Sequence, residues 1–299
     1  MKSRVLTGIL LSFLVCTSTN AAEITPSHVY QKTEVLRLAL QEQGLIDTHR
    51  YEMEEKKDNA LRHPRHVMQK VRECHTTLSK ILKDKNIDAH PLPNLFSIRE
   101  VRPSDVYNGV DHLIQDVLRL SEAPAPSFKF EQGKVPDDVF VNLKRICTSI
   151  HSEIVPSDVF QIAKAVNNNL DIIIRARGYE FSVPYSNFED KIPGDVYKTS
   201  QAFMEDLRKL ALNSDFAIPG GVIVPEYAPE GTVIPQDVIA LMNDALAETD
   251  AMKYTLGVRE LTVLPQYQDG KTPSDVFIQI DRAHTLLNIL LKKEAEDDL

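Results

Sequence analysis

The sequence predicts an all-α protein of about eight amphipathic helices joined by long extended linkers, arranged as a helical repeat that is solenoid-like or packed as an irregular bundle. Three observations predict it. A phrase in which valine stands three residues after proline returns through the chain, and such periodicity sets architecture before any local assignment. Apolar residues follow each valine at alternating steps of four and three, the spacing of one helical face. Between these stripes lie segments bounded by proline and carrying an aromatic or large apolar residue.

The repeat prolines are Pro26, Pro64, Pro103, Pro136, Pro156, Pro193, Pro235 and Pro273, with most intervals near 38 residues and one short interval between the fourth and fifth copies. The period resembles that of tetratricopeptide-like and HEAT-like solenoids in length alone, since the Trp, Gly and Ala positions of the former are missing. Each helix should bury its stripe against neighbouring copies, as Val106, Val110, Leu113, Val117 and Leu120 illustrate. Aspartate precedes the valine in six copies, while His28 and His66 replace it in the first two. The start of each helix is expected to place proline before the cap, with Ser27, Ser104, Ser157, Ser274, Asp137 or Gly194 as the cap itself. In that position the aspartate lies in the first turn, against the positive end of the helix dipole. Equivalent carboxylates at six helix starts are a structural device, whereas acid and base catalysis needs carboxylates in unlike environments.

Elements before the first copy and between copies read differently. Residues 1–22 combine Lys2 and Arg4, an apolar run from Val5 to Val15 and small residues ending at Ala21 and Ala22, the layout of a cleaved secretory signal. The helical domain is then expected over 23–293, with a subdivision near 150–156 and a frayed acidic tail over 294–299. The first linker, 45–63, is charged and free of internal proline, and predicts an extra helix. The linkers of ten residues or more are long enough to run back along a helix and set successive helices parallel, whereas 151–155 predicts a tight antiparallel turn. Cys74 and Cys147 stand on two helices in an export setting that permits a disulfide; two buried thiols remain the alternative.

Acidic residues outnumber basic ones by 43 to 34, giving a formal charge of −9, and this balance disfavours nucleic acid and anionic lipid as partners. No cofactor is implied. Chemistry is best sought where the repeat breaks. His63, His66 and His75 are the candidate metal ligands, beside Cys74, although their spacing matches no compact metal motif. Gly220 and Gly221, in the longest linker at 215–235, suit a turn or a lid. Tyr107, Phe160, Tyr197, Tyr227, Tyr267 and Phe277 are the candidate binding residues, either as an aromatic ladder for a peptide or glycan or as staples within the core. No GxSxG elbow or activated-thiol signature offers nucleophilic catalysis a foothold. The reading that follows is an exported, bacterial periplasmic or secreted, binding or scaffold protein presenting a surface to a protein or extended polymer. A small-molecule sensor or carrier is the alternative, and a helical-toroid enzyme acting on polysaccharide the third.

Overall fold

The computed structural model describes residues 23–52, 61–92, 99–121, 124–151, 153–225 and 232–297. The signal-like segment 1–22 lies outside them. The described residues are helical: α1 (Pro26–Glu42), α2 (Thr48–Glu52), α3 (Pro64–Asp84), α4 (Pro103–Leu118), α5 (Pro136–Ser149), α6 (Pro156–Ala176), α7 (Pro193–Leu210), α8 (Pro235–Thr255) and α9 (Pro273–Asp297). A short 3-10 turn covers Ser214–Phe216, and one antiparallel bridge joins Ile46 to Ile150. The extra helix expected in 45–63 is the five-residue α2; residues 53–60 lie outside the description.

Every long helix opens on its repeat proline, and the proline is the first helical residue. This corrects the cap register read from the sequence: the caps are Thr25, His63, Arg102, Val135, Val155, Ile192 and Ile234. Apolar caps are tolerated because the third helical residue reaches back. Asp105, Asp138, Asp158, Asp195, Asp237 and Asp275 each accept the cap amide of their own helix at 2.8–3.2 Å. That is the reciprocal half of a capping box, and proline itself has no amide to satisfy. His28 and His66 do the same through Nδ1, at 3.1 and 2.9 Å. The serines expected to cap serve neighbouring connectors instead: Ser27, Ser157 and Ser274 accept the amides of Lys134, Lys271 and Lys191 at 3.0 Å.

Two apolar cores form, one from α1, α3, α4 and α5 and one from α6, α7, α8 and α9. Pro26, Pro64, Pro103 and Pro136 with their four valines line one small opening, and the other four prolines and valines line a second. All four helix starts of each group therefore meet at one end, so each group is a parallel four-helix bundle. Counting down from the valines puts Leu36, Cys74, Leu113 and Ile146 at one level, all buried, in the coiled-coil rhythm of alternating steps. In the second bundle the same level holds Phe203 beside Val166, Ala245 and Ala283, so one large ring fills what two alanines leave. Within each bundle the first and second helices touch both the third and the fourth, giving a closed ring in the order first, third, second, fourth.

A parallel bundle requires each connector to return along its length. The α4–α5 connector lies over α1, where Gln31 donates to the Phe128 carbonyl at 2.8 Å, and the α8–α9 connector lies over α6, where Gln161 donates to the Pro265 carbonyl at 2.7 Å. The α6–α7 connector lies over α9, with Phe188 against Phe277 at 4.8 Å between ring centres. Four connectors end on a base two residues before the proline, and each base sits over an aromatic ring of a helix adjacent in the ring to the one it introduces. Arg62 covers Phe140 at 3.9 Å, Lys134 covers Tyr30 at 4.2 Å, Lys191 covers Phe277 at 4.4 Å and Lys271 covers Phe160 at 4.6 Å.

The short link between α5 and α6 is the turn at which the chain reverses, as expected, and it carries the chain from the first bundle into the second. The bundles themselves run oppositely: α3 packs on α8 with Glu73 beside Gln236, near the start of α8, and Arg65 and His66 on Glu248, near its end. Within the expected tail, residues 294–297 continue α9. Glu294, 5% exposed, accepts Arg177 through both oxygens at 2.8 and 2.6 Å, and α9 continues to Asp297.

Cys74 and Cys147 are bonded, joining α3 to α5 across a sequence separation of 73 residues. Reduction, or the paired change Cys74→Ser with Cys147→Ser, is expected to lower stability by about 4 kcal/mol through the freed chain entropy of the unfolded state. Urea unfolding of oxidised and reduced protein measures it, and coincident midpoints would show that the cross-link contributes nothing.

Candidate functional site

Polar side chains concentrate where the bundles meet. Apolar stripes face inward within each bundle, yet α3 also buries Arg65, His66, Gln69, Lys70 and Glu73. Opposite them α8 supplies Glu248, fully buried. Arg65 Nε donates to Glu248 Oε2 at 3.0 Å, and His66 Nε2 lies 2.8 Å from Oε1. Because His66 Nδ1 already accepts the His63 amide, Nε2 is the nitrogen that donates to Glu248. The Ile223 amide adds a third donor at 3.3 Å. Burial acts to raise the Glu248 carboxyl, but the His66, Arg65 and Ile223 donors outweigh it and hold the group below its ordinary 4.5.

The remainder of the seam is arranged in pairs. Lys70 Nζ meets Glu73 Oε2 at 2.8 Å, and Gln236 donates to Glu73 Oε1. Asp244, with an enclosed Oδ1 that has no hydrogen-bond partner, is pushed upward by burial against the attraction of Lys70 and His66. A cleft of about 70 Å³ opens beside the seam, between the start of α3, the residues before α4 and the C-terminal half of α8. His63, Arg65, Arg99 and Tyr254 line it, and so does Asp250, which is 1% exposed.

The Gly220–Gly221 turn explains part of this geometry. Both glycines have positive φ, and a Cβ on Gly220 would lie 1.9 Å from His63 Nε2. Arg65 donates to the carbonyls of Pro219 and Gly221 at 2.8 and 3.0 Å, so this turn clasps the start of α3. Bundle-to-bundle contact is thus a task of the longest linker.

The structure distributes the predicted residues between core and surface. Phe160 and Tyr197 are buried, Tyr107 is half-buried beneath Lys32, and Phe277 is half-buried between Phe188 and Lys191. Tyr267 is exposed, and Tyr227 lies outside the described residues. The three histidines do not converge. His63 and His66 stand with ring centres 6.1 Å apart, whereas His75 bonds the His90 carbonyl at 2.8 Å and is lowered by its burial. Among the described residues no group of three His, Cys, Asp or Glu side chains is placed to hold a metal ion.

Sequence reasoning missed Glu248 and Asp250, because single acids within a helical stripe look like its solvated side. One signal was present. Glu248 and Asp116 stand at the same position, thirteen past Pro235 and Pro103, and both are wholly buried acids that accept an amide from the preceding connector, Ile223 in one case and His90 in the other. A second signal was the base two places before four of the prolines.

Glu248→Gln is expected to cost about 3 kcal/mol at neutral pH, since it leaves Arg65 buried without its charge partner. With the folded carboxyl below 4.5, its stabilisation is complete above that value and is lost as pH falls through the folded one. Wild-type protein should therefore lose this increment on acidification below about pH 4.5 and the variant should not; parallel stability curves for the two proteins, followed by thermal melting, would refute the assignment.

The chain matches no protein-family model, no curated protein and no solved structure.

Proposed function

We propose that this is an exported helical-repeat protein, periplasmic or secreted, that acts as a binding or scaffold module for another protein or an extended polymer. The observation that carries the reading is an apolar face on the second bundle. The α8–α9 connector, lying over α6, exposes Leu261, Val263, Leu264 and Tyr267, with Val263 at 67%. The α6–α7 connector, lying over α9, exposes Phe181 and Tyr185, the latter at 55%. The two connectors thus lie on helices that are ring neighbours, α6 and α9. Contiguous exposed apolar side chains of this kind mark interaction sites more often than lone ones. Tyrosine suits such a surface because its ring buries area while its hydroxyl stays wet.

Export is supported by the signal-like layout of 1–22 and by the Cys74–Cys147 bond, which suits an oxidising compartment. Parallel bundles suit a scaffold because they set their connectors on rigid helices, leaving side chains free for recognition.

The test compares capture by wild-type mature protein with capture by a Val263→Asp, Tyr267→Ala, Tyr185→Ala variant, using extracts of the native envelope fraction. A specific partner should be retained by wild type and reduced by about tenfold or more in the variant, with melting temperature unchanged because all three side chains are exposed. Equal retention by both proteins would remove this face from the function.

A further inference from the structure

We propose that the turn leading from the α8–α9 connector into α9 is a site of main-chain modification, where Asp269 and Gly270 close to a cyclic imide and reopen as isoaspartate. The sequence holds one Asp–Gly and one Asn–Gly pair, Asp269–Gly270 and Asn108–Gly109. In such pairs the following amide nitrogen meets least hindrance, because glycine has no Cβ beside it. In an unfolded chain the asparagine pair reacts first, since an ionised carboxylate has no leaving group until it is protonated. The structure reverses that order.

Asn108 lies inside α4, where ψ is held at about −42°. Ring closure needs the next nitrogen to face the side-chain carbon, a rotation that would break the helix at that point. Gly109 has no room to follow, because it is buried against α3 and a Cβ on it would stand 3.0 Å from Val71 Cγ1. Asp269 and Gly270 are free of these restraints. Both are exposed, they form a turn outside any helix, and nothing lies within 4 Å of where a Gly270 Cβ would be. The Gly270 amide already points at the reacting carboxyl, with its nitrogen 2.9 Å from Asp269 Oδ1. Lys271, the nearest base in sequence, is turned instead to Phe160 at 4.6 Å and to Asp275 at 4.0 Å. A φ of +72° reserves position 270 for glycine, so the low hindrance comes with the turn itself.

The reaction balances within the chain and water. The Gly270 nitrogen bonds to Asp269 Cγ, and the carboxyl hydroxyl leaves as water with the amide proton. Water then opens the imide at either carbonyl. Cleavage of the Cγ–N bond restores Asp269, whereas cleavage between that nitrogen and the main-chain carbonyl leaves the chain running through Cβ and Cγ. The rerouted chain is longer by one carbon immediately before Lys271, whose amide donates to Ser157 Oγ at 3.0 Å and whose ammonium covers Phe160. Thr272 follows, with its amide on Asp275 Oδ2 at 2.8 Å at the start of α9. Modification therefore strains the contacts that tie the connector to α6 and open α9.

The test ages mature protein in neutral buffer at physiological temperature. Isoaspartate is detected by methyl transfer from labelled S-adenosylmethionine with an isoaspartyl methyltransferase, and located by peptide mapping with electron-transfer fragmentation. It should accumulate at 269 while Asn108 stays unchanged. Protein unfolded in guanidinium chloride with its disulfide reduced should show the opposite order, with 108 modified first. Asp269→Glu, whose longer side chain would have to close a larger ring, should lose the native signal at an unchanged melting temperature. Amide shifts of Ser157 and Phe160 should move on ageing of wild type and stay fixed in aged Asp269→Glu. Native protein that modifies Asn108 or another aspartate ahead of 269, an undiminished signal in Asp269→Glu, or no isoaspartate at 269 once the unfolded control has reacted at 108 would each overturn the proposal.

Discussion

Because all four helices of a bundle begin at the same end, the chain must travel back along a helix three times per bundle, and the helix ends must tolerate four aligned dipoles. Antiparallel bundles cancel these dipoles between neighbours; here they add. The aspartate at the third helical position answers that requirement directly. It brings a negative charge to each positive end and closes the cap amide, which frees the cap residue to be valine or isoleucine. His28 and His66 supply the bond without the charge, and both belong to helices of the first bundle. The connectors meet the other half of the requirement by packing on helices as a second layer. They are held by side-chain bonds to their backbone and by the four bases stacked over rings.

The two bundles are the same solution carried out twice with different chemistry. Ring order is shared, and so is the course of the connectors over the first helix and over the fourth, where α2 packs on α5 as the α6–α7 connector packs on α9. Where the first bundle bonds Cys74 to Cys147, the second places Phe203 and His284 at the equivalent positions, with rings 6.4 Å apart and His284 held by Asp206 at 2.6 Å. One bundle is therefore cross-linked covalently at its midpoint. The other relies on the buried Phe203 ring and a half-buried ion pair there.

Helix number, helix starts and the buried stripe were legible in the sequence because each depends on residues a few places apart. The cap register was misread since cap preference ranks side chains, whereas here the bond that matters runs from the cap backbone to the third residue. Pro103, Ser104 and Asp105 look identical in either register; only the Arg102 amide at 2.8 Å from Asp105 separates them. Ring order was illegible for a plainer reason: every helix carries the same stripe, so no stripe names its neighbour. Of the aromatic residues singled out, Phe160 and Tyr267 show the limit, one buried under Lys271 and one exposed on a connector. Their sequence contexts differ in position relative to the helix start, and that difference was the usable signal.

The seam between the bundles follows a different rule from the cores. Each core is apolar and complete by itself, so burying further apolar area between them would bind the bundles in many nearly equivalent registers. Charged pairs do not permit that latitude. Sliding α3 by one turn along α8 would leave Glu248 or Arg65 buried without its partner, a loss of about 3–5 kcal/mol, far above the fraction of a kcal/mol that an apolar surface loses on a small slip. Arg65 tightens the constraint because its fork reaches two elements at once, Glu248 on α8 and the Pro219 and Gly221 carbonyls of the preceding turn. The glycine at 220 belongs to the same constraint, since any side chain there would collide with His63 and lift the turn from α3. Relative placement of the bundles, and with it the shape of the cleft that Asp250 lines, is thus set by a handful of polar contacts and one missing side chain.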